Sequence, residues 1–436
     1  MKVSLEDISS VKKKMIVNLP SDLVDKEIDN FYRELNRKVK IKGFRPGKVP
    51  RNILERYYKD VADREVASNL IKKSYKDALS EVVIDPVAPP EIEQKELKKG
   101  EPFVYEAIVE IKPEIDVKGY EHMSLTTIPV EVKEEEVLTT LKELQENNAI
   151  LKEPKPIRPA KKGDVLIIDY VAKANGEDFN GNQGHNFIFE IGKNSLFPGL
   201  DEKLIGSAPG EEYEFDIEIP SDYQIGELAG KKVNVKVVIK DLKEKIISDI
   251  NDEFAKSLGE FKDLNDLKEK IRNQLRERKE KTKDELLKND IIEQLIKENP
   301  FEIPESLVVQ KARMIAAEAL NNLAKSGVDL KGIDIENAIE KMASNYMEQA
   351  RKDVKAEIIL DAIAQKENID VSNDDLEKEY KRISSVTDQG IELIRSYYKN
   401  NNLEDQLKQA LKHEKVFQKI ILNAEITETK KEEVNK

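Results

Sequence analysis

The 436-residue chain contains no cysteine, which excludes disulfides, thiolate zinc sites and a cysteine nucleophile. It has no tryptophan and only three histidines, His122, His185 and His413, too far apart in sequence to suggest a metal cluster or a histidine-based triad. No apolar run approaches the roughly 20 residues needed to span a bilayer, and Met1–Asp7 lacks the apolar core of a signal peptide. The expectation is a soluble, cytoplasmic protein that binds no membrane. Charge, by contrast, is abundant: 73 Lys and Arg against 86 Asp and Glu leave a net −13. An acidic whole argues against general nucleic-acid coating, though not against one local basic contact. With 39% hydrophobic residues spread over this length, several small cores are expected rather than one large one, in about three domains.

Three regions differ in pattern. Residues 1–112 read as a mixed α+β domain. A strand over Lys13–Leu19 is stopped by Pro20-Ser21, which starts a helix whose apolar stripe is Val24, Ile28, Phe31, Leu35 and Val39. A second helix carries Val66, Leu70, Ala78, Leu79 and Val82, and strand character returns at Phe103–Val109. A helix is expected over 134–148. Pro154, Pro156 and Pro159, interleaved with lysines, then read as a stiff polar linker. A β-rich module follows over about 163–242, where Tyr213, Phe215 and Ile217 alternate with acids and Val233, Val235, Val237 and Ile239 repeat that period of two. Beyond 246 the chain reads as helical and charged, with stripes at Leu264, Leu267, Ile271 and Leu275 and at Leu287, Ile291 and Leu295. Ser372-Asn373-Asp374-Asp375 has the form of a helix start, and the last dozen residues are polar enough to fray.

The most unusual segment is Gly43-Phe44-Arg45-Pro46-Gly47-Lys48-Val49-Pro50. From Arg37 to Arg51 there are seven basic residues and no acid, a local +7 in an acidic chain. Two glycines and two prolines forbid a continuing helix and shape a compact loop. Two readings are open: a docking element, with Phe44 as apolar area and Arg45 as a fork for carboxylate or phosphate, or an ordinary turn whose Phe44 folds back onto the helices. Gly43-x-x-x-Gly47-Lys48 and Gly226-x-x-x-Gly230-Lys231 are one residue short of a nucleotide loop and lack the following Ser or Thr, so no nucleotide is expected. No cofactor or metal is expected either. Carboxylate pairs are everywhere in this composition and are read as solvated helix faces.

The octapeptide matches Gly-Phe-Arg-x-Gly-x-x-Pro at Gly43, Phe44, Arg45, Gly47 and Pro50, and on it the chain is identified as a member of the trigger factor family of bacterial ribosome-associated chaperones. The resemblance implies that Phe44, Arg45 and Lys48 contact ribosomal protein and RNA beside the exit tunnel. Gly43, Pro46, Gly47 and Pro50 would shape the loop. It further implies that 113–149 packs with 246–436 into an elongated two-armed body that cradles nascent and unfolded chains without ATP, and that the protein dimerises off the ribosome.

The module at 150–245 resembles an FKBP-type peptidyl-prolyl isomerase, an antiparallel sheet plus a helix. The resemblance rests on Asp169-Tyr170, Gly176-Glu177-Asp178-Phe179, Phe187–Gly192, Leu196-Phe197-Pro198-Gly199-Leu200 and Asp222-Tyr223. Rotation about an X-Pro bond is slow because amide resonance is lost in the twisted state, and an apolar pocket that prefers that state accelerates it without nucleophile or metal. The expected lining is Tyr170, Phe179, Phe187, Phe189, Leu196, Phe197, Leu200, Tyr223 and Val235. Phe189, alternating with Phe187 along a strand, could equally be sheet core, whereas Phe197, beside the Pro198-Gly199 turn, is expected at the pocket mouth. Asn180 and Leu200 depart from the usual Asp and Trp, giving an uncharged rim and a less aromatic floor.

Overall fold

In the computed structural model, residues 1–45, 47–193, 196–223, 225–328 and 330–429 are described. The chain divides into two compact units, Met1–Ile128 with Lys283–Lys436, and Pro129–Thr282.

The first unit begins with β1 (Lys2–Asp7), β2 (Lys12–Leu19), α1 (Ser21–Lys38), α2 (Arg51–Val82), β3 (Glu91–Gln94) and β4 (Phe103–Glu110). The strands form an antiparallel sheet in the order β1-β2-β4-β3. Alternate residues of β2 and β4 (Met15, Val17, Leu19, Phe103, Tyr105 and Ala107) are buried against Val24, Ile28 and Tyr32 of α1 and Leu54, Val66 and Leu70 of α2. Burying each such side chain is worth about 1.5–3 kcal/mol, which is why the period-two and helical patterns hold. The α1 stripe differs in detail from the one expected. Tyr32 is buried where Phe31 and Leu35 are only half-buried, and Val39 has already left the helix at φ −83°, ψ 142°. Helix α2 starts directly after Pro50 and is kinked at Tyr58 (φ −129°, ψ 18°). A short strand β5 (Ser124–Thr127) follows.

The second unit contains α3 (Glu134–Asn147), β6 (Ile150–Lys152), β7 (Val165–Ala174), β8 (Gln183–Glu190), α4 (Leu200–Leu204), β9 (Glu212–Glu218), β10 (Lys232–Ile246) and α5 (Asp252–Ser257). Its sheet runs β6-β10-β7-β8, with β9 paired to β10, and all these pairings are antiparallel. Helix α6 (Leu264–Glu298) begins in this unit and continues into the first. Val137 and Leu141 of α3 share a small core with Phe254, Ala255, Leu267 and Ile271.

The proline-rich segment is not the free linker its composition suggests. Ala160 is buried, donates its N–H to Ser207 and accepts from Gly206. Arg158 grips the buried Asp164 with both terminal nitrogens, at 2.5 and 3.0 Å.

The first unit resumes with α7 (Glu305–Lys325), α8 (Ile335–Ala343), α9 (Met347–Lys366), α10 (Asn373–Thr387), α11 (Ile391–Asn400), α12 (Glu404–Asn423) and β11 (Glu425–Glu428). Leu287, Ile291 and Leu295 of α6, Ile359, Leu360 and Ile363 of α9 and Val416, Phe417 and Ile420 of α12 close a core around Val117, Tyr120, Met123 and Leu125. Ser372 caps α10 reciprocally with Asp375. Part of the tail expected to fray is ordered: although exposed, β11 pairs in parallel with β5, so backbone hydrogen bonds rather than burial hold it. Residues 430–436 lie outside the described residues.

Asp164 generates a stability test. Burial favours its neutral acid, but the Arg158 guanidinium and the Lys161 amide outweigh this and hold the carboxyl below its ordinary value. The stabilisation is therefore complete above pH of about 4 and is lost as pH falls through the folded value. Arg158→Ala leaves a buried carboxylate short of a partner. At pH 7 it is expected to destabilise the β-module by about 3 kcal/mol in urea unfolding, with the gap from the parent shrinking below pH of about 4.

Candidate functional site

Two sites emerge, one in each unit. The first is the loop between α1 and α2. Gly43 and Gly47 adopt φ of +92° and +82° with open space where a Cβ would stand, so it is backbone conformation, not crowding, that calls for glycine at both. Three hydrogen bonds tie the loop back to α1. The Gly47 N–H donates to the Asn36 carbonyl at 2.9 Å, the Asn36 amide donates to the Val49 carbonyl at 3.0 Å, and the Val49 N–H donates to Asn36 Oδ1 at 3.1 Å. Val49 is buried and Pro50 precedes the first turn of α2.

Between these anchors the tip faces solvent. Phe44 is 38% exposed, and Arg45 and Lys48 are exposed as well. Neither Arg45 nor Lys48 has a carboxylate partner among the described residues, and the same holds for Lys40 and Lys42. This exposure is what a docking element requires, and Phe44 is not part of the core that α1 and α2 share. The +7 patch is nonetheless smaller than the sequence count. Arg51 lies 3.8 Å above the Tyr32 ring and pairs with Asp29 and Glu55, and Lys38 stands 3.9 Å from Glu34. Pro46 lies outside the described residues. Asn36 went unnoticed in the sequence reading; its only signal there is an amide two residues before the end of an otherwise basic helix terminus.

The second site is an aromatic cluster in the core of the β-module and at its edge. Tyr170, on β7, meets Phe187 edge-on at 5.6 Å and Phe197 at 6.4 Å, and Phe179 meets Phe197 at 6.4 Å. Such perpendicular contacts place ring edges against ring faces and fix the rings without polar partners. Phe179, Phe187, Leu196 and Tyr223 are half-buried and form the rim, whereas Tyr170, Phe189, Phe197, Leu200 and Val235 are buried beneath them. Phe197 thus sits in the floor, 3% exposed, instead of at the mouth, because the turn before α4 folds its ring inward between Tyr170 and Phe179. Phe189, with no exposure, is core opposite Leu166.

The Tyr170 hydroxyl donates to the Gly181 carbonyl at 3.2 Å, and burial raises its pKa, so it remains a neutral donor. Gly184 is the residue opposite Tyr170 on β8. A Cβ there would lie 2.5 Å from the Tyr170 ring, a close approach that no sequence pattern disclosed. Asp169 points out of the cluster, accepting the Asn186 N–H at 2.8 Å where β8 bulges. The result is a cluster of apolar and aromatic side chains with no nucleophile among them, an environment suited to an amide whose dipole falls as it twists. Among the described residues no group of His, Asp and Glu could hold a metal ion, and no helix is long and apolar enough to cross a membrane.

Comparison with known proteins bears on both sites. The model of the bacterial trigger factor protein matches residues 1–144, that of the trigger factor C-terminus residues 263–422, and that of FKBP-type peptidyl-prolyl cis-trans isomerases residues 157–243. The trigger factor of Geobacter sp. (strain M21) is 33% identical over 437 residues, covering 100% of both chains. That of Syntrophus aciditrophicus (strain SB) is 36% identical over 384 residues, 88% of this chain and 86% of its own. A solved trigger factor chaperone, described for promiscuous substrate recognition in folding and assembly, shares the fold with a TM-score of 0.51 at 21% identity over 97% of this chain and 99% of its own. The chain belongs to the trigger factor family: it is a ribosome-associated chaperone that assists protein folding and carries an FKBP-type peptidyl-prolyl cis-trans isomerase domain.

Proposed function

We propose that the 43–50 loop is the ribosome anchor of this chaperone and that the Tyr170–Phe197 cluster is its isomerase site. The observation that carries the first assignment is the exposed Phe44 ring beside cations left without internal partners. A phenyl ring kept in water and an unpaired guanidinium both gain on binding a surface that offers apolar area and acidic or phosphate oxygens. Phe44 and Arg45 supply the contact, Lys48 adds charge, and Gly43, Gly47 and Pro50 shape the backbone. The surface met is ribosomal protein and RNA beside the exit tunnel.

The second assignment is supported by the uncharged ring cluster. Phe179, Phe187, Leu196 and Tyr223 receive the proline and its neighbours, over a floor of Tyr170, Phe189, Phe197, Leu200 and Val235. Every ~1.4 kcal/mol by which this cluster prefers the twisted amide gives a tenfold rate gain. The chain is read as 1–112 for ribosome binding, 150–245 for isomerisation, and 246–436 with 113–149 for holding unfolded polypeptide. Packing of 117–125 on α9 and α12, and of α3 on α5, supports the grouping of 113–149 with the helical part. Residence in the cytoplasm and dimerisation off the ribosome follow from family membership.

Changing Phe44, Arg45 and Lys48 together to Ala is expected to lower ribosome affinity at least a hundredfold in a pelleting assay while proline isomerisation in a short peptide stays at the parent rate; equal pelleting of variant and parent refutes the anchor. Phe197→Ala and, separately, Gly184→Ala are expected to lower kcat/KM for that peptide at least tenfold, the second by displacing the Tyr170 ring, with suppression of client aggregation retained. Parent-like isomerisation by both variants would move the active site elsewhere.

A further inference from the structure

The anchor loop must cross from one helix to the next while holding a ring and two cations in water. A free loop of that length would lose roughly 1–2 kcal/mol of backbone entropy for each residue ordered on docking. One side chain removes much of this freedom beforehand. Asn36 pairs with both backbone groups of Val49, as a neighbouring strand would, and its own carbonyl, one of those left over at the end of α1, takes the Gly47 N–H. A single residue thus closes the ring of chain from 36 to 49 by three hydrogen bonds, and none of its atoms is needed to touch the ribosome.

We infer that Asn36 is the positioning residue of the ribosome-binding loop, holding Phe44, Arg45 and Lys48 in their docking arrangement through Val49 and Gly47. The inference rests on the assignment of 43–50 as the anchor. Only a carboxamide serves here, because the site needs one donor and one acceptor from the same planar group. Asp in its place would accept from the Val49 N–H and leave the Val49 carbonyl without its donor.

The test compares parent, Asn36→Ala, Gly47→Ala, Arg45→Ala and the triple variant at 44, 45 and 48, each as the full chain with purified ribosomes across a salt series. A residue that contacts phosphate contributes close to one to the slope of log affinity against log salt, whereas a residue that only arranges others contributes nothing to it. Asn36→Ala is expected to weaken binding about tenfold, equivalent to about 1.4 kcal/mol, at an unchanged slope. Peptide isomerisation should be unaltered, and hydrogen exchange at the Val49 and Gly47 amides should be faster. Arg45→Ala is expected to flatten the slope. Gly47→Ala has room for its methyl but strains the backbone at positive φ, and it should reproduce the Asn36→Ala result. It decides the matter if Asn36→Ala does not fold.

Parent-like affinity of Asn36→Ala, with the triple variant released, overturns the positioning role and leaves the anchor standing. A flattened slope for Asn36→Ala also overturns it, since Asn36 would then be a contact. Parent-like binding by the triple variant removes the anchor itself.

Discussion

An exposed Phe44 and an Arg45 guanidinium with no carboxylate partner among the described residues stay in place because the backbone beneath them is held. Phe44 and Arg45 sit on a stretch whose two glycines adopt positive φ and whose return path is sealed by Asn36, Val49 and Pro50. Exposed apolar surface and unneutralised charge cost stability in isolation, and here they are concentrated on one loop tip while the neighbouring basic residues are treated differently. Arg51 is absorbed by Tyr32, Asp29 and Glu55. The separation divides cations that build the helical hairpin from cations that have no carboxylate partner among the described residues.

The same economy governs the isomerase module. X-Pro isomerisation needs no proton transfer, and the one titratable ring buried in the cluster, Tyr170, is held neutral by burial with its hydroxyl tied to Gly181. Edge-to-face contacts fix four rings while sheet residues with no exposure, Phe189 and Val235, stiffen them from below. Gly184 clears the space that Tyr170 occupies. Apolar walls and a rigid frame are what a less polar, twisted amide requires.

The remaining mass is built from modest cores, two of them joining segments distant in sequence and two built from consecutive helices, with many surface ion pairs among them. Such pairs are individually worth little, and their number in an acidic chain serves solubility more than stability. The helical part can therefore expose apolar side chains such as Met314, Leu393 and Tyr397 without a compensating large core.

Residue order alone determined what is local or periodic: the loop between α1 and α2, because two glycines, two prolines and an uninterrupted basic run act through backbone and charge at adjacent positions; the strands of the β-module, through alternation; and the charged helices, through their stripes. It could not place β3 and β11, four residues each and wholly exposed, whose burial is too slight to leave a pattern. Tertiary structure decided which of the loop's cations stay free, that Phe197 turns inward, that Arg158 anchors the proline-rich segment, and that Asn36 reaches Val49. Each of these depends on partners brought together by packing, and neither composition nor period carries the identity of a residue met across space.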